Sequence, residues 1–138
     1  AVAESCSGGF LSNLLTQISG SSQYFILGIV AYSNQAKIDI LKIPRLTILQ
    51  KSAVSKEVAA LMAKSVRAIA KTDFGIGITG IAGPTGGSKE KPVGTVFIAL
   101  DSKNNKICRK FNFRGSRLEI RKKAALKSLE LLKRMLNL

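Results

Sequence analysis

Histidine and tryptophan are absent from the 138 residues, and acidic residues number only 8. Without histidine the chain cannot build a Ser-His or Cys-His pair, so a serine nucleophile would need another side chain as its base. The few carboxylates are scattered, with no pair that suggests glycosidase or metal chemistry. Cys6 and Cys108 lie far apart and outside any C-x-x-C pattern, which predicts two free thiols and no metal site.

Aromatic residues make up only 6% of the chain, so stacking platforms for single-stranded nucleic acid are scarce. The net charge of +14 favours anionic partners, but lysine is spread along the whole chain and marks no single patch. We therefore rank nucleic acid behind a small phosphorylated molecule as the partner. The chain has no apolar run long enough to span a bilayer and no signal-peptide pattern, so we expect no membrane partner and a cytoplasmic location.

The length predicts one domain, residues 1–138, with room for a substantial core. The chain opens with Ala1 rather than methionine, and its first residues already resemble a strand. We therefore expect that a helix or a further N-terminal domain precedes it in a longer protein.

The apolar pattern predicts strands that alternate with helices. Strands are predicted at 1–4, 25–32, 74–81, 94–101 and 107–113, and helices at 9–18, 34–41, 46–51, 55–70 and 116–136. The near-continuous apolar run at 25–32 is typical of a buried strand, and the last two strands read as a hairpin. This order predicts an α/β fold: a three-layer α/β/α sandwich with a mixed, mostly parallel sheet of about five strands.

A turn of small residues, Ser5-Cys6-Ser7-Gly8-Gly9, separates the first strand from the first helix. Unpaired N–H groups and the positive end of the helix dipole gather at such a place, which suits an anion or an oxyanion. Ser5 is the candidate nucleophile, and the N–H groups around Ser7, Gly8 and Gly9 are candidate oxyanion donors. Glu4 either orients this turn or holds a lysine base, and the residues leave both readings open.

Lys37 is the candidate base, since it follows the end of the second predicted strand. A lysine acts as a base when burial or neighbouring positive charge lowers its pKa. Tyr32 is a candidate to relay a proton or to orient the nucleophile. Most lysines are solvated surface charges, and only the joint placement of Ser5, Tyr32 and Lys37 at strand ends distinguishes this one.

Residues 75–80, Gly-Ile-Gly-Ile-Thr-Gly, match G-x-G-x-x-G, but they fall inside a predicted strand with no helix after it. We therefore predict no Rossmann dinucleotide site. The following loop is rich in glycines and hydroxyls, and such backbone lets N–H groups approach a phosphate. The candidate binding residues here are Thr79, Gly80, Gly83, Gly86 and Gly87. An ordinary flexible crossover loop is the alternative.

Arg117 and Arg121 are four residues apart at the start of the last helix, so they share a face. Two guanidinium groups near a helix N-terminus suit a phosphate. The alternative is a solvated basic face that continues along the helix.

Short motifs follow one another in a fixed order along nearly the whole chain. They are Ala3-Glu4-Ser5-Cys6-Ser7-Gly8-Gly9, Gly20-Ser21-Ser22, Tyr32-Ser33-Asn34-x-x-Lys37, Ala53-Val54-Ser55, Thr79-Gly80-Ile81-Ala82-Gly83-Pro84, Gly86-Gly87-Ser88, Lys91-Pro92-Val93-Gly94-Thr95-Val96 and Gly115-x-Arg117. Together they resemble the CinA C-terminal domain family, the nicotinamide-nucleotide amidases. Ser7 stands where threonine is frequent in that family, a change that keeps the hydroxyl.

The resemblance implies hydrolysis of nicotinamide mononucleotide to nicotinate mononucleotide and ammonia, in pyridine-nucleotide recycling. It implies a serine–lysine mechanism without metal or cofactor, with Ser5 as nucleophile, Lys37 as base and Tyr32 as an assistant. Thr79 and its glycine loop would line the substrate site, with Arg117 near the phosphate. Family members tend to associate, so we expect a homo-oligomer. A non-catalytic nucleotide-binding or regulatory module of a larger CinA-type protein is the alternative.

Overall fold

The computed structural model describes all residues, 1–138, and the chain alternates between strands and helices. In chain order the elements are β1 (Val2–Glu4), α1 (Phe10–Thr16), a 3₁₀ turn (Ser21–Gln23), β2 (Gly28–Val30), α2 (Asn34–Asp39), α3 (Arg45–Lys51), α4 (Lys56–Ala70), β3 (Phe74–Gly80), β4 (Thr95–Ser102), β5 (Lys106–Asn112) and α5 (Arg117–Met135).

The five strands form one sheet in the order β2-β1-β3-β4-β5. β1 pairs in parallel with β2 and β3, while β4 is antiparallel to β3 and to β5. Four strands therefore point one way and β4 alone runs against them, which confirms the predicted mixed, mostly parallel sheet. The carboxyl ends of β1, β2 and β3 consequently lie at one edge, where the polar residues that follow them come together.

Helices cover both faces of the sheet, because the central strands carry apolar side chains on both sides. On one face, Ile78 and Ile98 pack with Leu11 of α1 and Ile120 of α5. On the other face, Ala3 packs with α4 and with residues from α3 and the connection before it, including Leu41, Ile43, Ile48, Val58, Met62 and Val66. The predicted three-layer α/β/α arrangement is therefore confirmed.

Two glycines of β3 allow α4 to lie against the sheet. A Cβ on Gly75 would stand 2.1 Å from the carbonyl oxygen of Ala63, and one on Gly77 would stand 2.3 Å from that of Ala59. Because both distances are far shorter than a van der Waals contact, no larger residue fits. The first two glycines of the G-x-G-x-x-G pattern thus lie inside a strand and allow a helix to pack against it. This agrees with the prediction that the pattern is not a Rossmann dinucleotide site.

Side-chain caps fix where the two longest helices begin. The Ser55 hydroxyl accepts a hydrogen bond from the N–H of Val58 at the start of α4. Ser116 and Glu119 form a reciprocal capping box at the start of α5. Such residues satisfy N–H groups that a helix leaves unpaired, and both helices begin within a residue of the predicted starts at 55 and 116. No helix combines the length and the apolar character needed to cross a bilayer.

The second strand departs from expectation. Only Gly28–Val30 of the predicted 25–32 strand is regular, and it lies at an edge of the sheet rather than in its middle. Val30 and Ile26 are 48% and 58% exposed, so the run is not buried on both faces. An apolar run alone does not tell how many neighbours a strand will have.

Candidate active site

Ser5 continues the line of β1 for one residue beyond its end. Its N–H donates to the carbonyl of Ile78 in β3, at 3.0 Å, and its own carbonyl accepts from the N–H of Gly8, also at 3.0 Å. Gly8 and Gly9 have φ of 58° and 94°, a region that favours glycine, so they allow the chain to turn sharply into α1. The strand end and this turn together fix the Ser5 side chain at the edge of the sheet.

Glu4 holds that turn from inside. Its Oε2 accepts hydrogen bonds from Ser7 Oγ at 2.7 Å and from the N–H groups of Gly9 and Leu11, each at 3.1 Å. Its Oε1 accepts from the N–H and Oγ of Ser12, at 2.8 and 2.7 Å. The carboxylate is fully buried and makes no bond to a lysine, so it orients the turn. The N-terminus of α1, predicted as an anion site, is occupied by this internal carboxylate.

Lys37 reaches Ser5 from the neighbouring strand end. Ser33 caps α2 by accepting from the N–H of Ala36, and this turn directs Lys37 back beneath the sheet edge. Its Nζ lies 2.9 Å from Ser5 Oγ, 2.9 Å from the carbonyl oxygen of Ala31 and 3.4 Å from that of Tyr32. The residue is only 2% exposed, so the contact is shielded from water.

The surroundings of Lys37 suit a neutral amine. Burial lowers the pKa of Lys37 below its usual value, since desolvation disfavours the charged form. No carboxylate forms an ion pair with it. A neutral amine has two N–H donors and one lone pair, which match two carbonyl oxygens and the hydroxyl proton of Ser5. A protonated amine can donate to all three oxygens. The same three contacts therefore suit Lys37 both before and after it takes up a proton.

Cys6, adjacent to Ser5, is a buried thiol with a different character. Burial raises its pKa to about 12, so at neutral pH the sulfur stays protonated. Both cysteines are free, as predicted. Ser5, which has a base within hydrogen-bond distance, is therefore the stronger nucleophile of the pair.

A cavity of about 280 Å³ opens above the Ser5–Lys37 contact. Of the residues predicted from the sequence, those that line it are Ser5, Tyr32, Lys37, Thr79, Gly80, Gly83, Gly86 and Arg117. The other lining residues were not predicted as site residues, although all but Thr85 stand in the family motifs; they are Cys6, Asn34, Ala53, Val54, Ile81, Ala82 and Thr85. Asn34 lies between Tyr32 and Lys37 in the sequence, so proximity to those residues was the signal that would have found it.

Backbone donors are unpaired on two sides of the cavity. In the glycine-rich loop after β3, the N–H groups of Ala82, Gly83, Thr85 and Gly86 have no acceptor within the protein. At the Ser5 turn, the N–H groups of Gly8 and Gly9 are used internally, whereas that of Cys6, which lines the cavity, has no oxygen acceptor. The N–H of Ser7 also lacks an oxygen acceptor, but Ser7 is fully buried outside the cavity, and both N–H groups lie against the Cys6 sulfur. The N–H of Cys6, beside the nucleophile, is therefore the candidate donor to an oxyanion.

Arg117 crosses the mouth of the cavity. Its Nη1 donates to the carbonyl of Gly83 at 2.7 Å, and its Nη2 donates to Tyr32 Oη at 2.6 Å. Tyr32 is 59% exposed, and its hydroxyl makes no hydrogen bond to Ser5 or Lys37. The structure therefore does not give Tyr32 the direct contact that a proton relay needs; its backbone carbonyl, rather than its phenol, meets Lys37.

Five of the predicted binding residues lie outside the cavity lining: Ser7, Gly8, Gly9, Gly87 and Arg121. Arg121 is one helical turn beyond Arg117, which carries it over α1, where its guanidinium stacks 5.0 Å from the ring of Phe10. Its Nε donates to the carbonyl of Ser7 at 3.4 Å. Arg121 therefore supports the Ser5 turn, to which Ser7, Gly8 and Gly9 belong, from behind.

Gly87 lies against the end of the same loop. A Cβ there would stand 2.7 Å from the backbone nitrogen of Val93. The close approach of two backbone segments therefore explains this glycine. No three histidine, cysteine, aspartate or glutamate side chains come together anywhere in the chain.

Fold and site together define an α/β domain with a buried serine–lysine pair at the carboxyl edge of its sheet. Residues 1–136 match the CinA C-terminal domain, and the chain belongs to this family. It is 48% identical over 136 residues to a CinA-like protein of Geotalea daltonii, and 49% identical to a putative competence-damage inducible protein of Moorella thermoacetica. In both cases 99% of this chain is covered, but only 33% of the relative, so the chain spans about a third of their length.

Solved structures of the family have the same fold. The competence damage-inducible protein A of Klebsiella pneumoniae superposes with a TM-score of 0.95 at 31% identity, over 99% of this chain and 84% of that one. The competence/damage inducible protein CihA of Agrobacterium tumefaciens gives 0.93 at 40% identity, over 95% and 81%.

Proposed function

We propose that this domain is an amidohydrolase that converts nicotinamide mononucleotide to nicotinate mononucleotide and ammonia. The observation that carries the proposal is the buried contact of 2.9 Å between Lys37 Nζ and Ser5 Oγ. A serine becomes a nucleophile when an adjacent base takes its proton, and a desolvated lysine is such a base. The choice of substrate rests on membership of the CinA C-terminal domain family together with the motifs it shares.

The first half of the reaction transfers the acyl group to Ser5. Neutral Lys37 takes the hydroxyl proton as Ser5 Oγ attacks the carboxamide carbon of the nicotinamide. The N–H group of Cys6, which lines the cavity, would stabilise the resulting oxyanion. Lys37 then gives its proton to the departing amide nitrogen. Ammonia leaves, and the nicotinoyl group of the mononucleotide remains as an ester on Ser5.

The second half repeats the same steps with water. Lys37 takes a proton from the water molecule that attacks the ester, and then returns it to Ser5 Oγ as nicotinate mononucleotide is released. Because one lysine serves as base and acid in turn, it needs partners in both protonation states. The carbonyl oxygens of Ala31 and Tyr32 supply them.

The phosphate of the nucleotide is assigned to the cavity mouth. Arg117 provides a guanidinium there, and the glycine-rich loop provides unpaired N–H groups. Both favour a compact anion. Gly83 and Tyr32 hold Arg117 in place, so Tyr32 assists by positioning the phosphate ligand and by its carbonyl contact with Lys37. We further propose a homo-oligomer that acts in the cytoplasm, without metal or cofactor.

The direct test is release of ammonia and nicotinate mononucleotide from nicotinamide mononucleotide by the purified domain. Ser5→Ala should abolish release while the protein keeps its fold, because no other activated nucleophile lines the cavity. Ser22→Ala, at an exposed serine without hydrogen bonds, is the matched control and should retain full activity. Full activity in Ser5→Ala would overturn the assignment.

A non-catalytic nucleotide-binding module is the second candidate. The loop donors and Arg117 could hold a nucleotide without any chemistry at Ser5. A ligand that binds the native state raises the midpoint of thermal unfolding. A rise with nicotinamide mononucleotide, and no ammonia, would favour this second candidate.

A further inference from the structure

Two loops that are distant in sequence wall the candidate active site. The wall loop, residues 52–54, joins α3 to α4, and its Ala53 and Val54 line the cavity. The glycine-rich loop after β3 lines another part of the cavity and continues towards Lys91. Whatever fixes one loop against the other therefore fixes the shape of the substrate site.

The wall loop contains a strained backbone conformation at Ser52. Ser52 has φ 72° and ψ 152°, a sparsely populated combination for a residue with a side chain. Its hydroxyl accepts from the N–H of Val54 at 3.2 Å, and its carbonyl accepts from Ser55 Oγ at 2.8 Å. Such a conformation persists when the surroundings over-determine it.

Lys91, which is distant in sequence, supplies two of the contacts that hold this loop. Its Nζ donates to the carbonyl oxygen of Val54 at 2.6 Å and lies 3.3 Å from that of Lys51, at the end of α3. Thr79 Oγ1 donates to the intervening carbonyl of Ala53 at 2.8 Å. Together with the Ser52 contact, every carbonyl from residue 51 to residue 54 is held by a side chain.

Lys91 is itself anchored, unlike its neighbour Lys89. The N–H of Lys91 donates to Ser88 Oγ at 3.0 Å, and its carbonyl accepts from the N–H of Ser88 at 2.9 Å. It is half-buried and forms no ion pair. Its charge instead faces the carbonyl end of α3, where a cation is favourable. Lys89 is exposed and makes no hydrogen bond.

We infer that Lys91 is a positioning residue of the active site: it clamps the wall loop so that Ala53 and Val54 meet the substrate. The inference rests on the proposed amidase function. Lys91 touches neither Ser5 nor Lys37, so it acts on where the substrate lies and not on the state of the base. Its loss should therefore raise KM and leave the pH profile of kcat unchanged.

The test compares Lys91→Met with Lys91→Arg and with Lys89→Met as the matched control. Hydrogen exchange reports on residues 51–55, and the kinetics of ammonia release are measured on the same proteins. We expect Lys91→Met to lose exchange protection in this segment and to raise KM by about tenfold, since a displaced site wall misplaces the substrate. Lys91→Arg should recover part of the loss, and Lys89→Met should match the wild type.

The remaining outcomes contradict either the positioning role of Lys91 or the amidase activity. Unchanged protection, or lost protection with an unchanged KM, overturns the positioning role. An inactive wild type overturns the proposed amidase activity instead. The Kd of nicotinamide mononucleotide, measured by calorimetry, then replaces KM as the readout. Equal Kd values for the wild type and Lys91→Met overturn the positioning role of Lys91. Should Lys91→Met fail to fold, the shorter polar variant Lys91→Gln is measured with the same expectations.

Discussion

The Ser5 turn and the glycine-rich loop face the same cavity, yet they are built in opposite ways. The turn is buried and internally bonded, with five hydrogen bonds converging on Glu4. The loop is exposed from Pro84 to Glu90, and most of its N–H groups in this stretch are unpaired. The difference suggests a division of labour: a fixed, desolvated side for chemistry and an open side with free donors for recognition.

Lys37→Met should have the largest effect, because it removes the base from the fixed side. We expect kcat to fall by about 10²- to 10⁴-fold, the range that general acid–base catalysis contributes. Ammonia release at substrate saturation measures the loss, and Lys56→Met, at an exposed lysine, is the control. An active Lys37→Met enzyme would mean that another group takes the proton from Ser5.

Glu4→Gln should break the turn without touching the base. An amide carries two N–H donors where the carboxylate had only acceptors, so it leaves bonds around Ser7, Gly9 and Ser12 unmade. We expect a loss of about 3 kcal/mol in the free energy of unfolding, measured with urea. Glu57→Gln changes the same charge at an exposed site on α4 and should have little effect. A stability equal to the wild type would show that the turn holds itself.

Arg117→Lys should weaken recognition on the open side. A lysine cannot bridge Gly83 and Tyr32 as the guanidinium does, nor bind a phosphate with two parallel bonds. We expect KM for nicotinamide mononucleotide to rise about tenfold, with kcat little changed. The rise should be absent for the riboside that lacks the phosphate. Arg114→Lys, at an exposed neighbouring arginine, is the control; an equal rise for nucleotide and riboside would contradict a phosphate contact.

Gly86→Ala should have the smallest effect. The residue has φ of 89°, which disfavours a side chain, although a Cβ would meet only Ile81, at 3.7 Å. We expect a loss of about 1 kcal/mol in the free energy of unfolding, from backbone strain alone. Thermal unfolding measures it. A much larger loss would show that the loop is as tightly determined as the Ser5 turn.

The sequence anticipated those features that depend on local patterns. The starts of α4 and α5 lie within a residue of the predicted positions 55 and 116, because the caps that fix them, Ser55 and Ser116, act within one helical turn. The apolar pattern placed β3, β4 and β5 correctly within a residue or two. In the site, Ser5 and Lys37 could be paired because parallel strands bring their carboxyl ends to one edge.

What the sequence could not supply depends on contacts between distant segments. Arg117 and Arg121 are equivalent on a helical wheel, and only the position of α1 separates them into a cavity residue and a supporting one. The sequence allowed Glu4 either to hold Lys37 or to orient the turn. In the structure both of its carboxylate oxygens accept hydrogen bonds from the turn and the start of α1. Lys91 and the wall loop meet across 37 residues, a separation that no periodicity reveals.

The serine–lysine mechanism requires that the pKa of Lys37 lie below that of an exposed lysine. Because burial lowers its folded pKa below the 10.5 of an exposed lysine, the unfolded state binds more protons between the two values. Stability should therefore rise with pH through that window, and kcat should rise as Lys37 loses its proton. Below the folded pKa, Lys37 is charged in both states, and the cost of burying that charge lowers the free energy of unfolding by its full amount.

The most direct measurement is a carbon-13 NMR titration of the Lys37 side chain, assigned by comparison with Lys37→Arg. The account predicts that the Cε resonance of Lys37 titrates below 10.5, apart from the other lysines. A resonance that titrates with the exposed lysines, or above them, would contradict a lysine base for Ser5.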